Sequence, residues 1–132
     1  MVLVIDDDVE IRQALTDILE DEDYTVVAAA NGKEALEIVA RGPVPDVILL
    51  DVMMPVMDGW HFLSARLNHP RLVEVPIIII SAGNEAETEA RKVGAYRVLK
   101  KPLHLDDLMS RIEDCYRVSQ HMRREVSAAA PP

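Results

Sequence analysis

Five short apolar stretches rich in β-branched residues punctuate the chain, at Val2 to Ile5, Thr25 to Ala29, Val47 to Leu50, Ile77 to Ile80 and Tyr96 to Leu99. Their length and composition predict strands. Between and after them the apolar residues return with helical spacing. Ile11, Leu15, Ile18 and Leu19 share a face of the first such segment, and Leu105, Leu108, Met109, Ile112 and Tyr116 a face of the last. Five helices are expected. Asn31 with Glu34 three residues on, Asp58 before an aromatic-rich run, and Asn84 with Glu87 mark the starts of the middle three. The first and last helices carry weaker start signals.

Regular alternation of strand and helix implies parallel strands joined by right-handed crossovers, and the third and fourth strands lack the polar alternation that a solvated face would impose. The pattern therefore predicts an α/β fold: a doubly wound, flavodoxin-like five-stranded parallel sheet of order 2-1-3-4-5 with helices on both faces. In that order the topological switch falls between the first and third strands and opens a crevice at their carboxyl ends. Chemistry is expected there.

Length and composition restrict the picture further. With 132 residues, 49% of them hydrophobic, the chain has enough apolar material for one ordinary core. No apolar run approaches the about 18 residues needed to cross a bilayer, and Val2 to Ile5 runs straight into Asp6, so neither a membrane segment nor a secretory leader is expected. The expected location is cytoplasmic. Cys115 is the single cysteine, expected as a partly buried thiol on the last helix. The net charge of −9, from 14 basic and 23 acidic residues, argues against direct contact with nucleic acid. A short basic cluster, Arg117, His121, Arg123 and Arg124, leads into SAAAPP. It divides the chain into a domain over 1–118 and a flexible tail or start of a linker over 119–132.

Asp6, Asp7 and Asp8 follow the first strand, Asp51 the third, Ser81 the fourth and Lys101 the fifth. Singly, each has a structural explanation, as helix N-terminal charge, a strand-end hydroxyl or a solvated edge lysine. Together they converge, because the predicted topology brings these ends to one edge of the sheet. Crowded carboxylates favour protonation or a bound cation, and an all-oxygen ligand set suits Mg²⁺ rather than zinc. A lysine and a hydroxyl aimed at the same point complete a set suited to phosphoryl transfer, with Asp51 as the oxygen nucleophile.

With VLVIDDD, ILLDVMMPVMDG, IIIISA and LKKP, the chain resembles the bacterial response-regulator receiver family from residue 1 to about 118. The resemblance implies that Asp51 is the phosphoacceptor, that Asp7 binds Mg²⁺ directly and Asp6 largely through water, and that Met53 adds its backbone carbonyl. It implies that Ser81 and Lys101 bind the phosphoryl group, with a cis Lys101–Pro102 peptide. A sensor histidine kinase or phosphotransfer protein would be the donor and a separate protein the target, with neither nucleic acid nor membrane contacted directly. The chain would catalyse only its own phosphorylation and dephosphorylation. Val98 stands at the switch position where the family usually has Tyr or Phe. The conformational response is therefore expected in the Ser81 to Glu85 loop and the helix after it. His104 stands where an acidic cap is common.

Two other functions compete. Asp6 and Asp8 form an Asp-x-Asp pair after an apolar strand, as in small phosphohydrolases of the haloacid dehalogenase kind, but that leaves MMPVMDG unexplained. A pseudo-receiver serving only as a binding module would not need Asp6, Asp7, Asp51, Ser81 and Lys101 together.

Overall fold

A strand buried on both faces keeps no polar alternation, and the runs of Val, Ile and Leu form the sheet accordingly. The computed structural model describes residues 1–51, 59–81, 97–100 and 103–129, with the backbone alone at 60, 97, 100 and 120–129. The strands are β1 (Val2–Ile5), β2 (Val26–Ala29), β3 (Val47–Asp51), β4 (Ile77–Ser81) and β5 (Arg97–Lys100). They pair in parallel in the order β2-β1-β3-β4-β5. Four helices lie among the described residues: α1 (Val9–Asp21), α2 (Gly32–Arg41), α3 (Gly59–Leu67) and α4 (Leu105–Ala129). The helix expected after Asn84 and the start signal at Asp58 lie outside the described residues.

Alternate residues of each strand feed opposite faces of the sheet. On one face Leu3, Ile5, Ile48, Leu50, Ile77 and Ile79 pack with Ala35 and Val39 of α2 and Phe62 and Leu63 of α3. On the other, Val2, Val4, Val47, Leu49, Ile78 and Ile80 pack with Leu15 and Leu19 of α1 and with Leu108, Ile112 and Cys115 of α4. Cys115 is fully rather than partly buried, because it continues the inward stripe of Leu108 and Ile112. The α4 backbone stays helical to Ala129, past residue 118, and neither Pro nor Gly interrupts it. Arg117 of the basic cluster is exposed and donates to Glu113 one turn back at 2.7 Å. Among the described residues no helix is long and apolar enough to cross a membrane.

Local chemistry sets the helix ends. Asn31 caps α2, its side chain accepting from the Glu34 amide at 2.9 Å as the sequence predicts. The far end of α2 is held from a distance: Arg71 donates to the carbonyls of Val39 and Gly42, both at 2.7 Å. That satisfies carbonyls the helix leaves open and sets a cation against its negative end. Helix α1 is better capped than its sequence suggested. Asp8 accepts from the amides of Glu10 at 2.9 Å and Ile11 at 3.2 Å. At the other end Asp23 takes the left-handed conformation, φ 67°, while its amide bonds Glu20 and the Tyr24 amide bonds Leu19. This is the Schellman closure, with Asp where Gly is commonest.

Asp8→Ala is therefore expected to lower the unfolding free energy by about 1 kcal/mol, and Asp8→Asn, which keeps the acceptor, by less. Urea titration of the three proteins checks this, and equal midpoints for wild type and Asp8→Ala would show that the cap contributes nothing.

Candidate functional site

The parallel register brings the ends of β1, β3 and β4 side by side. Ile5 pairs with Leu50, and Asp51 pairs with Ile80, so Asp6 and Asp51 stand one step beyond a shared rung and Ser81 one step beyond the next. Asp51 and Ser81 are the last residues of β3 and β4, and both are buried. Asp6 is only 1% exposed although it is charged and follows a strand, whereas Asp7 is exposed. The chain bends at Asp7 between β1 and α1, and a short hydrogen-bond series defines this turn. The Asp6 amide donates to Ala29 at 3.2 Å, the Asp6 carboxylate accepts from the Asp8 amide at 2.9 Å, and Arg12 Nη1 donates to the Asp6 carbonyl at 2.8 Å.

One oxygen from each of Asp6, Asp7 and Asp51 lies within 4.8 Å of the other two. At an effective dielectric of about 20, two unit charges 4.8 Å apart repel by roughly 3.5 kcal/mol, so three carboxylates at this spacing favour a cation between them. This is the one group of acidic, His or Cys side chains among the described residues spaced to hold a metal ion. Its donors are carboxylate oxygens without nitrogen or sulfur, a set that fits a small hard cation of the Mg²⁺ kind and disfavours zinc.

The structure thus brings together Asp6, Asp7 and Asp51 and places Ser81 on the neighbouring strand end. Lys101, Met53 and the Lys101–Pro102 peptide lie outside the described residues. So does the segment from Ala82 to Tyr96, on which the expected conformational response falls. Val98 is half-buried on β5, opposite Ile79, and packs against the α2 and α3 side of the core. Ser81 pairs with Lys100, the residue before the expected lysine. Two residues, Asp8 in the turn and Arg12 in α1, were not singled out for these roles from sequence. Asp8 belonged to the acidic run, yet its carboxylate caps α1 instead of joining the three-carboxylate cluster. Arg12 carries no signal in the sequence, because its bond to a carbonyl six residues earlier leaves no pattern in the chain.

The model of the response regulator receiver domain matches residues 2–113. The chain is 41% identical over 107 residues to protein-glutamate methylesterase/protein-glutamine glutaminase 2 of Oleidesulfovibrio alaskensis, covering 76% of this chain and 29% of that protein. It is 37% identical over 116 residues to the DNA-binding transcriptional regulator NtrC of Escherichia coli, covering 86% of this chain and 24% of that one. The chain therefore spans less than a third of the length of these two relatives. Among solved structures, chemotaxis protein CheY4 of Vibrio cholerae superposes with a TM-score of 0.80 at 34% identity, over 86% of this chain and 96% of that one.

Proposed function

Because this chain belongs to the response regulator receiver family, we propose that it accepts a phosphoryl group on Asp51 from a histidine kinase or phosphotransfer protein and signals by contact with a downstream protein. The observation that carries this reading is the meeting of Asp6, Asp7 and Asp51 at the carboxyl ends of β1 and β3, with Asp51 buried at the topological switch point. Asp6, Asp7, Asp51 and the backbone carbonyl of Met53 would hold the cation, Mg²⁺. When bound, that ion supplies charge neutralisation for the phosphoryl oxygens and the carboxylates around them.

The remaining chemistry belongs to the chain. An oxygen of Asp51 attacks phosphorus as the phosphorus–nitrogen bond of the donor phosphohistidine breaks. The electron pair leaves on the imidazole nitrogen, which takes up a proton. Burial at the end of β3 restricts the carboxylate to few orientations, which favours in-line attack. The Ser81 hydroxyl donates to a phosphoryl oxygen and Lys101 neutralises another. Small acyl phosphates can replace the protein donor. Val98 leaves the switch position without a large ring, so the response passes through the segment after Ser81. The chain's own catalysis is limited to gaining and losing this phosphoryl group, and the expected setting is the cytoplasm, without nucleic acid or membrane as a direct partner.

The test is incubation with an acyl phosphate donor and Mg²⁺. The label is expected to be stoichiometric and released by hydroxylamine, as an acyl phosphate must be. A hydroxylamine-resistant label would indicate a hydroxyl acceptor and contradict the reading.

A further inference from the structure

We propose that Arg12 is a positioning residue for the acidic pocket: its guanidinium, bonded to the Asp6 carbonyl, fixes the turn that presents Asp6 and Asp7 to a divalent cation. This rests on the phosphoacceptor reading above. The geometry supports it at three points on one residue. The amide of Asp6 is tied to Ala29 of β2, its carboxylate to the Asp8 amide, and its carbonyl to Arg12 Nη1 at 2.8 Å. The first two bonds fix the start of the turn and the side chain. The third spans the turn and joins it to the body of α1.

Arg12 is itself well anchored. Its amide bonds the Asp8 carbonyl at 2.9 Å, its carbonyl accepts from Thr16 Oγ1 at 2.8 Å, and its side chain is half-buried. The anchor is thus the first turns of α1, whose Leu15 and Leu19 are buried against the sheet. A rigid helix holds the carbonyl of a residue whose carboxylate belongs to the pocket. Outer groups that orient ligands in this way commonly change metal affinity by about 10- to 100-fold when removed.

Position and charge make opposite demands, and this gives the proposal its test. A guanidinium near the pocket repels a cation, so if charge alone mattered, removing it would tighten Mg²⁺ binding. If position dominates, removal weakens binding. Arg12→Met keeps the length and helix propensity but loses the donor, and Arg12→Lys keeps the charge with a less directional donor.

Calorimetric Mg²⁺ titration of the full chain, without any phosphoryl donor, is expected to show about tenfold weaker binding for Arg12→Met and an intermediate loss for Arg12→Lys. Labelling by an acyl phosphate should need about tenfold more Mg²⁺ for half-maximal rate in Arg12→Met, with the rate at saturating Mg²⁺ within about twofold of wild type. Circular dichroism establishes that each variant is folded, and if Arg12→Met is not, the Lys variant decides by the same criteria. Unchanged or tighter Mg²⁺ binding in a folded variant, with wild type both binding and labelling, overturns the role of Arg12 alone. A wild type that neither binds Mg²⁺ nor takes up label removes the phosphoacceptor reading and this inference together.

Discussion

Asp51→Asn is expected to reduce labelling by an acyl phosphate or a phosphorylated kinase to background. The amide nitrogen cannot attack phosphorus usefully, and the amide oxygen lacks the charge that makes the carboxylate a nucleophile. Loss of label from a misfolded variant would look the same, but here stability should move the other way. Removing one charge from three carboxylates within 4.8 Å of one another relieves repulsion, so in the presence of a chelator the Asn variant is expected to be more stable than wild type by about 1 to 3 kcal/mol. A folded Asp51→Asn protein that still takes up a full equivalent of phosphate would remove Asp51 as the acceptor.

Chelation of divalent ions should have an effect nearly as large. Asp6, Asp7 and Asp51 already crowd one pocket, and an incoming phosphoryl group adds further negative charge to it. Two unit charges at this spacing repel by roughly 3.5 kcal/mol at an effective dielectric of about 20, and each 1.36 kcal/mol in a barrier is a factor of about ten in rate. Excess chelator is therefore expected to slow labelling by roughly two to three orders of magnitude, and added Mg²⁺ to restore it. Equal rates with and without chelator would mean that the acidic pocket does not act through a cation.

The sheet was legible because its three central strands, β1, β3 and β4, are buried on both faces and announce themselves as apolar runs. Val2–Ile5 matches its expected bounds, while β3 and β4 each extend one residue further, to Asp51 and Ser81. Those extra residues are the polar ones, which an apolar pattern cannot count although the backbone ladder continues through them. The carboxylates of the pocket were legible for a related reason: strand order fixes which ends become neighbours, so topology alone brings Asp6 and Asp7 towards Asp51.

Other features depend on contacts without sequence periodicity. Arg71, in the turn after α3, reaches the carbonyls of Val39 and Gly42 at the end of α2, and Arg12 reaches back to Asp6. A guanidinium bonded to a carbonyl places no constraint on the side chain of the residue it holds, so composition carries no trace of it. Asp8 was ambiguous for the opposite reason. Three successive aspartates offer the same group, and only the turn decides that the third caps α1 while the first two face the pocket. The left-handed Asp23 was similarly hidden, since the usual signal for that conformation is glycine.

The most direct test is to find which side chain carries the phosphoryl group. Wild type labelled by an acyl phosphate in Mg²⁺ is reduced with borohydride, which converts an acyl phosphate to the corresponding alcohol, and the peptides are mapped by mass spectrometry. The expected result is homoserine at position 51 with Asp6 and Asp7 intact, absent from unlabelled protein and from protein labelled in chelator. Reduction at Asp6 or Asp7, or label surviving on Ser81 with position 51 still aspartate, would contradict Asp51 as the phosphoacceptor.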